Sequence, residues 1–227
     1  MHMLNTNGAR AALAISLLAA ISYLLIPFQA GSIAIIVQKS LACFSLAALV
    51  AIAAPSGQIK KTLILSLLAS TAGDAFLAIR HGDFFIYGLG SFLITHLLYI
   101  RIFAKNLATA VDPRQLIRRL LALIIIGFAA IMMYLLWDKL GGMKAPVFIY
   151  ISVISLMSIA AFFSRFSLLW AGLGAASFMI SDATIAVNKF ITPFEWSGPF
   201  IWITYMFAQY ALVYAILSQQ AQKKADD

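Results

Sequence analysis

Cysteine occurs once, at Cys43, so the chain can close no internal disulfide and assemble no thiolate metal cluster. Charge is nearly as scarce: Asp, Glu, Lys and Arg make up 11% of 227 residues, against about a quarter in soluble domains. The sequence has no Gly-rich phosphate loop, no G-x-S-x-G elbow and no H-E-x-x-H helix, so phosphate-loop, serine-hydrolase and zincin chemistries lack their parts. Of three histidines only His96 lies in an apolar run. A zinc site would have to take His96, Asp74 and Asp182, a set poor in histidine compared with catalytic zinc. No metal and no cofactor is expected.

What remains is apolar. Hydrophobic residues make up 63% of the chain and the mean hydropathy is +0.96, which assigns the chain to a bilayer. A spanning helix needs about 20 mostly apolar residues. Eight such runs lie near 11–28, 33–54, 62–79, 84–104, 117–137, 147–163, 167–187 and 200–217. They are too long, and too apolar on every face, for membrane strands. The expected fold is therefore all-α: a polytopic membrane protein of eight transmembrane helices forming one integral membrane domain over 1–227. The first run is read as a retained helix, because "PFQAGS" places bulky Phe28 before a cut after Ala30, where a signal peptide needs a small residue. The tail "SQQAQKKADD" reads as a solvated end.

The net charge of +8 does not indicate nucleic acid, because the basic residues sit in short clusters between apolar runs, where they signal topology. Eight spans put both termini on one side. That side holds Arg10, Lys60, Lys61, Arg101, Lys105, Arg114, Arg118, Arg119, Arg165, Lys223 and Lys224; the other holds Lys39, Arg80, Lys139, Lys144 and Lys189. The bias predicts a cell membrane protein with both termini cytoplasmic.

Eight acidic residues sort by depth. Asp83, Asp112, Asp138, Glu195, Asp226 and Asp227 fall in loops or the tail, and only Asp74 and Asp182 lie inside spans. Each precedes an outer-end cation, Arg80 or Lys189, by six or seven positions, which is about 9 to 10 Å of helix rise. Ser66, Ser70, Thr71 and Asp74 share one arc, and Ala171, Gly174, Ala175 and Asp182 another. Small and hydroxylic residues let helices approach closely, so both carboxyls are expected to face inward. Lys39, His96, Tyr99, Tyr205 and Gln209 on other spans complete a candidate polar chamber. The order of these spans hints that helices one to four and five to eight are two parallel halves of a diverged duplication.

Each feature also has a structural reading. Asp74 with Lys39, or Asp182 with Lys189, could be retained as an ion pair; His96 could be a satisfied core histidine; Tyr205 could be packing; Lys39 could snorkel outward. A charge at the helix centre costs about 2.5–3.5 kcal/mol on insertion scales, and intramembrane ionisable groups mark sites by default. Two carboxyls in low dielectric, one protonated and one ionised, suit acid-catalysed hydrolysis through an oxocarbenium ion. The same pair would also serve as the proton relay of a small lipid or solute transporter. A non-catalytic scaffold is a third reading.

"GDAFL" in the third run, "FLITHLLYI" in the fourth, "SDATIAVNKF" in the seventh and "TYMFAQY" in the eighth resemble the YhhN family of eight-span membrane proteins, whose characterised members are lysoplasmalogenases. The resemblance covers essentially the whole chain. It implies that Asp74 and Asp182 are the acidic active-site residues, with His96, Tyr99, Lys189, Tyr205 and Gln209 as the accompanying polar set. Family members often carry Pro after the lysine that corresponds to Lys39, and this chain has Ser40. The resemblance also implies a lysophospholipid substrate drawn from membrane lipid. Its vinyl ether would be cleaved to a fatty aldehyde and a glycerophospho-ethanolamine or -choline, with Lys39, Arg80 or Lys189 available to the phosphate.

The orientation is checked by labelling with a membrane-impermeant thiol reagent. A cysteine introduced at Ser197 is expected to react from outside and one at Gly57 to be protected; the reverse pattern would invert the topology.

Overall fold

The structure, a computed structural model, describes residues 4–26, 28–29, 31–79, 84–109 and 112–226. Arg80, Asp83 and Asp227 lie outside the described residues. Among the described residues, eight helices are long and apolar enough to cross a membrane: α1 Asn7–Leu25, α2 Ile33–Ala53, α3 Gln58–Ala78, α4 Phe84–Ala104, α5 Gln115–Leu136, α6 Lys144–Phe163, α7 Leu168–Ala186 and α8 Ser197–Asp226. No strand longer than an isolated bridge forms among the described residues. The protein is an integral multi-pass membrane protein.

Local chemistry sets the ends. Thr6 Oγ1 accepts from the Ala9 N–H at 3.1 Å and starts α1 earlier than its apolar run begins. Ser32 and Ser167 cap α2 and α7 in the same way. Gly57, before α3, has φ +152°, a backbone angle that favours glycine. Between α5 and α6 the chain tightens into two 3-10 turns, Trp137–Lys139 and Gly141–Met143. After α7 it widens into a π-helical turn, Val187–Ile191. The tail differs from the sequence reading, since α8 runs on to Asp226 instead of ending with its apolar run near 217. Gln, Ala and Lys in "SQQAQKKAD" are good helix formers, and an α-helix already under way continues through them. Ser197 is buried and Gly57 is conformationally special, so Glu195 and Ser56, both exposed, are the better labelling positions.

The chain divides into two compact units, Met1–Ile102 with Ile216–Asp227, and Phe103–Ala215. Within the first, α1 packs on α2 and α2 on α3. Buried Ala9, Ala12, Ala19 and Ala20 of α1 keep its backbone close to α2, where Ser16 Oγ donates to the Ala42 carbonyl at 2.6 Å. Within the second, α5 packs on α6 and α6 on α7, around Met132, Leu136, Leu140 and Val147. The outward faces carry large apolar side chains: Leu18 of α1, Leu123 of α5 and Ile203 of α8 are all more than half exposed. Ser16, Ser66, Ser70, Thr95, Ser158 and Ser181 turn inward. This is the arrangement that hydrocarbon solvent demands.

The α4–α5 connection is tied to the end of α6. Ala108 N–H donates to the Phe163 carbonyl and Arg165 N–H to the Asn106 carbonyl, each at 2.8 Å. Arg118, counted from sequence as a topology signal, is 2% exposed. Its guanidinium donates to the Phe162 carbonyl, to the Ser164 carbonyl at 2.8 Å and to Asp112 Oδ2 at 2.7 Å. A cation thus satisfies the last carbonyls of α6, which have no intrahelical partner.

Arg118→Gln is expected to lower stability in detergent by about 1.5–3 kcal/mol, the scale of hydrogen bonds to a charged group, read from thermal unfolding. The Arg114 N–H first, and Arg118 after it, hold the Asp112 carboxyl below its ordinary value. Its stabilisation is therefore complete at neutral pH and is lost as pH falls through that depressed value. Arg118→Gln should show a smaller decline on acidification than wild type.

Candidate active site

In the first unit the expected inward arc of α3 is present. Ser66, Ser70 and Asp74 recur every four residues and are buried, Asp74 at 4% exposure, while Thr71 is half-buried and returns its hydroxyl to the Leu67 carbonyl. Facing them on α4 is Thr95. Its hydroxyl lies 3.1 Å from that of Ser70, and its backbone carbonyl accepts from Ser66 Oγ at 3.3 Å. Thr95 Oγ1 in turn donates to the Ser66 carbonyl at 3.2 Å. His96 and Tyr99, on the same helix, are fully buried. The close approach of α3 and α4 needs Gly73, where an added Cβ would sit 2.7 Å from the Phe92 ring.

Lys39 on α2 is half-buried, its ammonium 4.8 Å from the Tyr23 ring centroid of α1, a cation–π geometry. Next to it, Gln38 donates through Nε2 to Ser22 Oγ at 2.9 Å.

In the second unit Asp182 sits on α7, half-buried. Its Oδ2 accepts from the Tyr150 hydroxyl of α6 at 2.5 Å. Phe178, one turn earlier on α7, meets the Tyr205 ring of α8 edge-on at 5.4 Å, and Trp202 lies 5.8 Å from Tyr205. Gln209, one turn beyond Tyr205, is fully buried. Serines bind α7 to α8: Ser177 donates to the Thr204 carbonyl at 2.8 Å and Ser181 to the Ile201 carbonyl at 3.0 Å. Gly174 permits the contact, with backbone and Leu212 within 3.2 Å of an added Cβ. Lys189 is exposed on the π-turn.

The sequence-based set therefore falls into two groups, Asp74, His96, Tyr99 and Lys39 in one unit and Asp182, Lys189, Tyr205 and Gln209 in the other. Tyr150 was missed. Its signal was a phenol in a sixth run that is apolar apart from Ser152, Ser155 and Ser158, one face of which, Tyr150, Ile154 and Ser158, is buried. Attention to the spans that follow each Asp passed over it. No group of three or more His, Cys, Asp or Glu suited to a metal ion occurs among the described residues.

The family model of the YhhN family matches residues 34–216. The chain belongs to the YhhN family. A protein named Lysoplasmalogenase from Mycobacterium bovis is 31% identical over 167 residues, 72% of this chain and 63% of its own length. Lysoplasmalogenase TMEM86A of Bos taurus is 30% identical over 173 residues, 73% of this chain and 68% of its own length. The human protein of the same name is 33% identical over 65% of this chain and 61% of its own length. The YhhN chain thus spans about three-fifths to two-thirds of the curated relatives it matches. No solved structure matches it.

For this YhhN-family chain the α3–α4 seam gives a direct test. Gly73→Ala should cost about 1–3 kcal/mol, the usual scale of overpacking, because the Phe92 ring, 4% exposed, must move. The thermal midpoint in detergent should fall, and Phe92→Leu in the same chain should recover part of it. A midpoint unchanged by Gly73→Ala would show that this contact does not set the helix spacing.

Proposed function

We propose that this protein is a membrane-embedded lysoplasmalogenase. It would hydrolyse the vinyl ether of a lysoplasmalogen to a fatty aldehyde and a glycerophospho-ethanolamine or -choline, without a cofactor. The observation that carries this reading is the identity to proteins named lysoplasmalogenase over 72–73% of the chain; the family match over residues 34–216 includes the helices bearing both in-span carboxyls. Asp74 and Asp182 are proposed as the catalytic pair, with Lys39, His96, Tyr99, Lys189, Tyr205 and Gln209 in support. Both termini are proposed to be cytoplasmic, in the cell membrane, on the basic-residue bias.

The chemistry needs two different carboxyls. One, protonated, transfers its proton to the vinyl carbon next to the one that bears the oxygen. The oxocarbenium ion so formed is stabilised by the second, ionised group, which takes a proton from the attacking water. The hemiacetal then collapses: the glycerol oxygen regains a proton, the hemiacetal hydroxyl loses one, and the acid is restored. One water is consumed and nothing is oxidised. The phosphate would bind a cation near the outer end, Lys39 or Lys189 being candidates.

A transporter built on the same carboxyls would be expected to interrupt its helices at mid-membrane. Asp74 and Asp182 instead lie within continuous α-helices, which favours the hydrolase.

Purified protein in detergent is expected to release aldehyde from lysoplasmalogen. Asp74→Asn and Asp182→Asn should each reduce turnover by about 100-fold or more, the scale of acid–base groups, with the protein still folded; His96→Ala should reduce it less. In heavy water the aldehyde, trapped at once by reduction, should carry one deuterium on the carbon next to the carbonyl. Aldehyde free of deuterium would exclude proton transfer to carbon, and absence of aldehyde from the wild-type protein would exclude the hydrolase.

A further inference from the structure

Asp182 does not stand midway along its helix, and three helices of the second unit fix its level independently. On α7 it lies four residues before the α-helix ends at Ala186 and fourteen after it starts at Leu168, about 6 and 21 Å of rise. On α6, which begins at the end where α7 finishes, Tyr150 reaches Asp182 from six residues after Lys144 and thirteen before Phe163, about 9 and 20 Å. On α8, Ser181 donates to the Ile201 carbonyl, four residues after the start at Ser197 and thirteen before Tyr214, about 6 and 20 Å. The carboxyl is near one end only, the end that carries the α7–α8 connection.

Both ends of this unit bear the marks of a membrane surface. At the near end Trp196 is 62% exposed and meets Phe194 at 4.7 Å and Phe200 at 5.5 Å. Glu195 and Lys189 are exposed beside it in sequence, and on the α5–α6 connection the Lys144 ammonium lies 4.7 Å from the Trp137 ring centroid. At the far end Trp170 and Tyr214, both exposed, meet edge-on at 5.3 Å, and Arg165 is exposed. Aromatic side chains of this kind mark the two membrane–water interfaces. From Trp196 to Tyr214 the chain advances eighteen residues, about 27 Å of rise, close to the roughly 30 Å of a hydrocarbon core.

We infer that the Asp182 site is served by one leaflet, the leaflet on the side of the α7–α8 connection. The inference rests on the hydrolase reading above and adds to it the pool from which the lysolipid comes. A lysoplasmalogen keeps its phosphate at the membrane surface, and only the glycerol carbons separate that phosphate from the vinyl ether. A lipid lying in the near leaflet therefore brings its vinyl ether to the level of Asp182 with its phosphate still at the surface. From the far leaflet the phosphate would have to descend through most of 20 Å of hydrocarbon, where a charge is costly. The water-soluble glycerophospho product leaves to the near aqueous face, and the aldehyde stays in the near leaflet. On the topology proposed above, that face is the one away from both termini.

The full-length Glu195→Cys protein, in sealed phosphatidylcholine vesicles with about one copy each, tests this. A membrane-impermeant biotin maleimide followed by streptavidin captures vesicles whose α7–α8 connection faces outward; the native Cys43 is buried. Lysoplasmalogen added from outside is expected to yield aldehyde at an initial rate about 10-fold or more higher in the captured fraction, because a charged headgroup crosses hydrocarbon slowly. A saturated ether analogue with a photoreactive diazirine beside the ether oxygen, added the same way, should cross-link to α6, α7 or α8 in the captured fraction and much less in the other. Release or cross-linking that is equal in the two fractions, or greater in the uncaptured one, would overturn the inference. The analogue requires no turnover. Absence of aldehyde from both fractions would therefore refute the hydrolase, while the cross-link still decides which leaflet reaches the Asp182 level.

Discussion

Hydrocarbon offers no hydrogen-bonding partner, so every polar group within the eight spans must find one inside the protein or remain at high cost. The rest of the structure follows from that condition. Backbone groups are satisfied within helices, and side-chain hydroxyls are spent on carbonyls of the same or the neighbouring helix. Ser16 reaches Ala42, Ser66 and Thr95 bond reciprocally, and Ser177 and Ser181 reach Thr204 and Ile201. Each of these short reaches is possible only where small residues let two backbones approach, which is why Gly73 and Gly174 stand at the seams. Lipid cannot drive helices together by the hydrophobic effect, and these contacts take over that role.

The same condition makes the in-span acids conspicuous. A carboxyl that only filled space would be replaced at a gain by Leu or Ala, so its retention calls for a partner and a use. Asp182 has a partner in Tyr150, and Asp74 lies at the end of a hydroxylic face that α3 and α4 build between them. The vinyl ether hydrolysis proposed above would need a carboxyl that keeps its proton and a carboxylate that stabilises positive charge; low dielectric favours the protonated form of a carboxyl, and exclusion of water strengthens the stabilisation of charge.

The spans could be read from sequence because their signal is a sum over about 20 residues, which one or two polar positions do not erase. The inward arc of α3 was also legible, since helical periodicity places Ser66, Ser70 and Asp74 together whatever they touch. Pairings were not. That Asp182 accepts from Tyr150, 32 residues earlier, depends on how α6 meets α7, and nothing in the local pattern states it. Arg118 illustrates a different loss. Charge counting gives every Arg the same weight, whereas this one serves as a buried cap for the carbonyls of α6. The end of α8 was misjudged for a third reason: polarity ended the apolar run, but helix formation requires no apolar side chains once it has begun.

The last helix belongs to both compact units, its residues to Ala215 with the second and those from Ile216 onward with the first. A ribosome delivers the N-terminal helices first, and domains generally begin folding as they emerge. Here the unit that contains α1, α2 and α3 also contains residues from Ile216 onward. Its packing therefore waits on residues translated more than a hundred positions after Ile102, and a change at Ile216 or Leu217 is expected to be felt in the unit that carries Asp74.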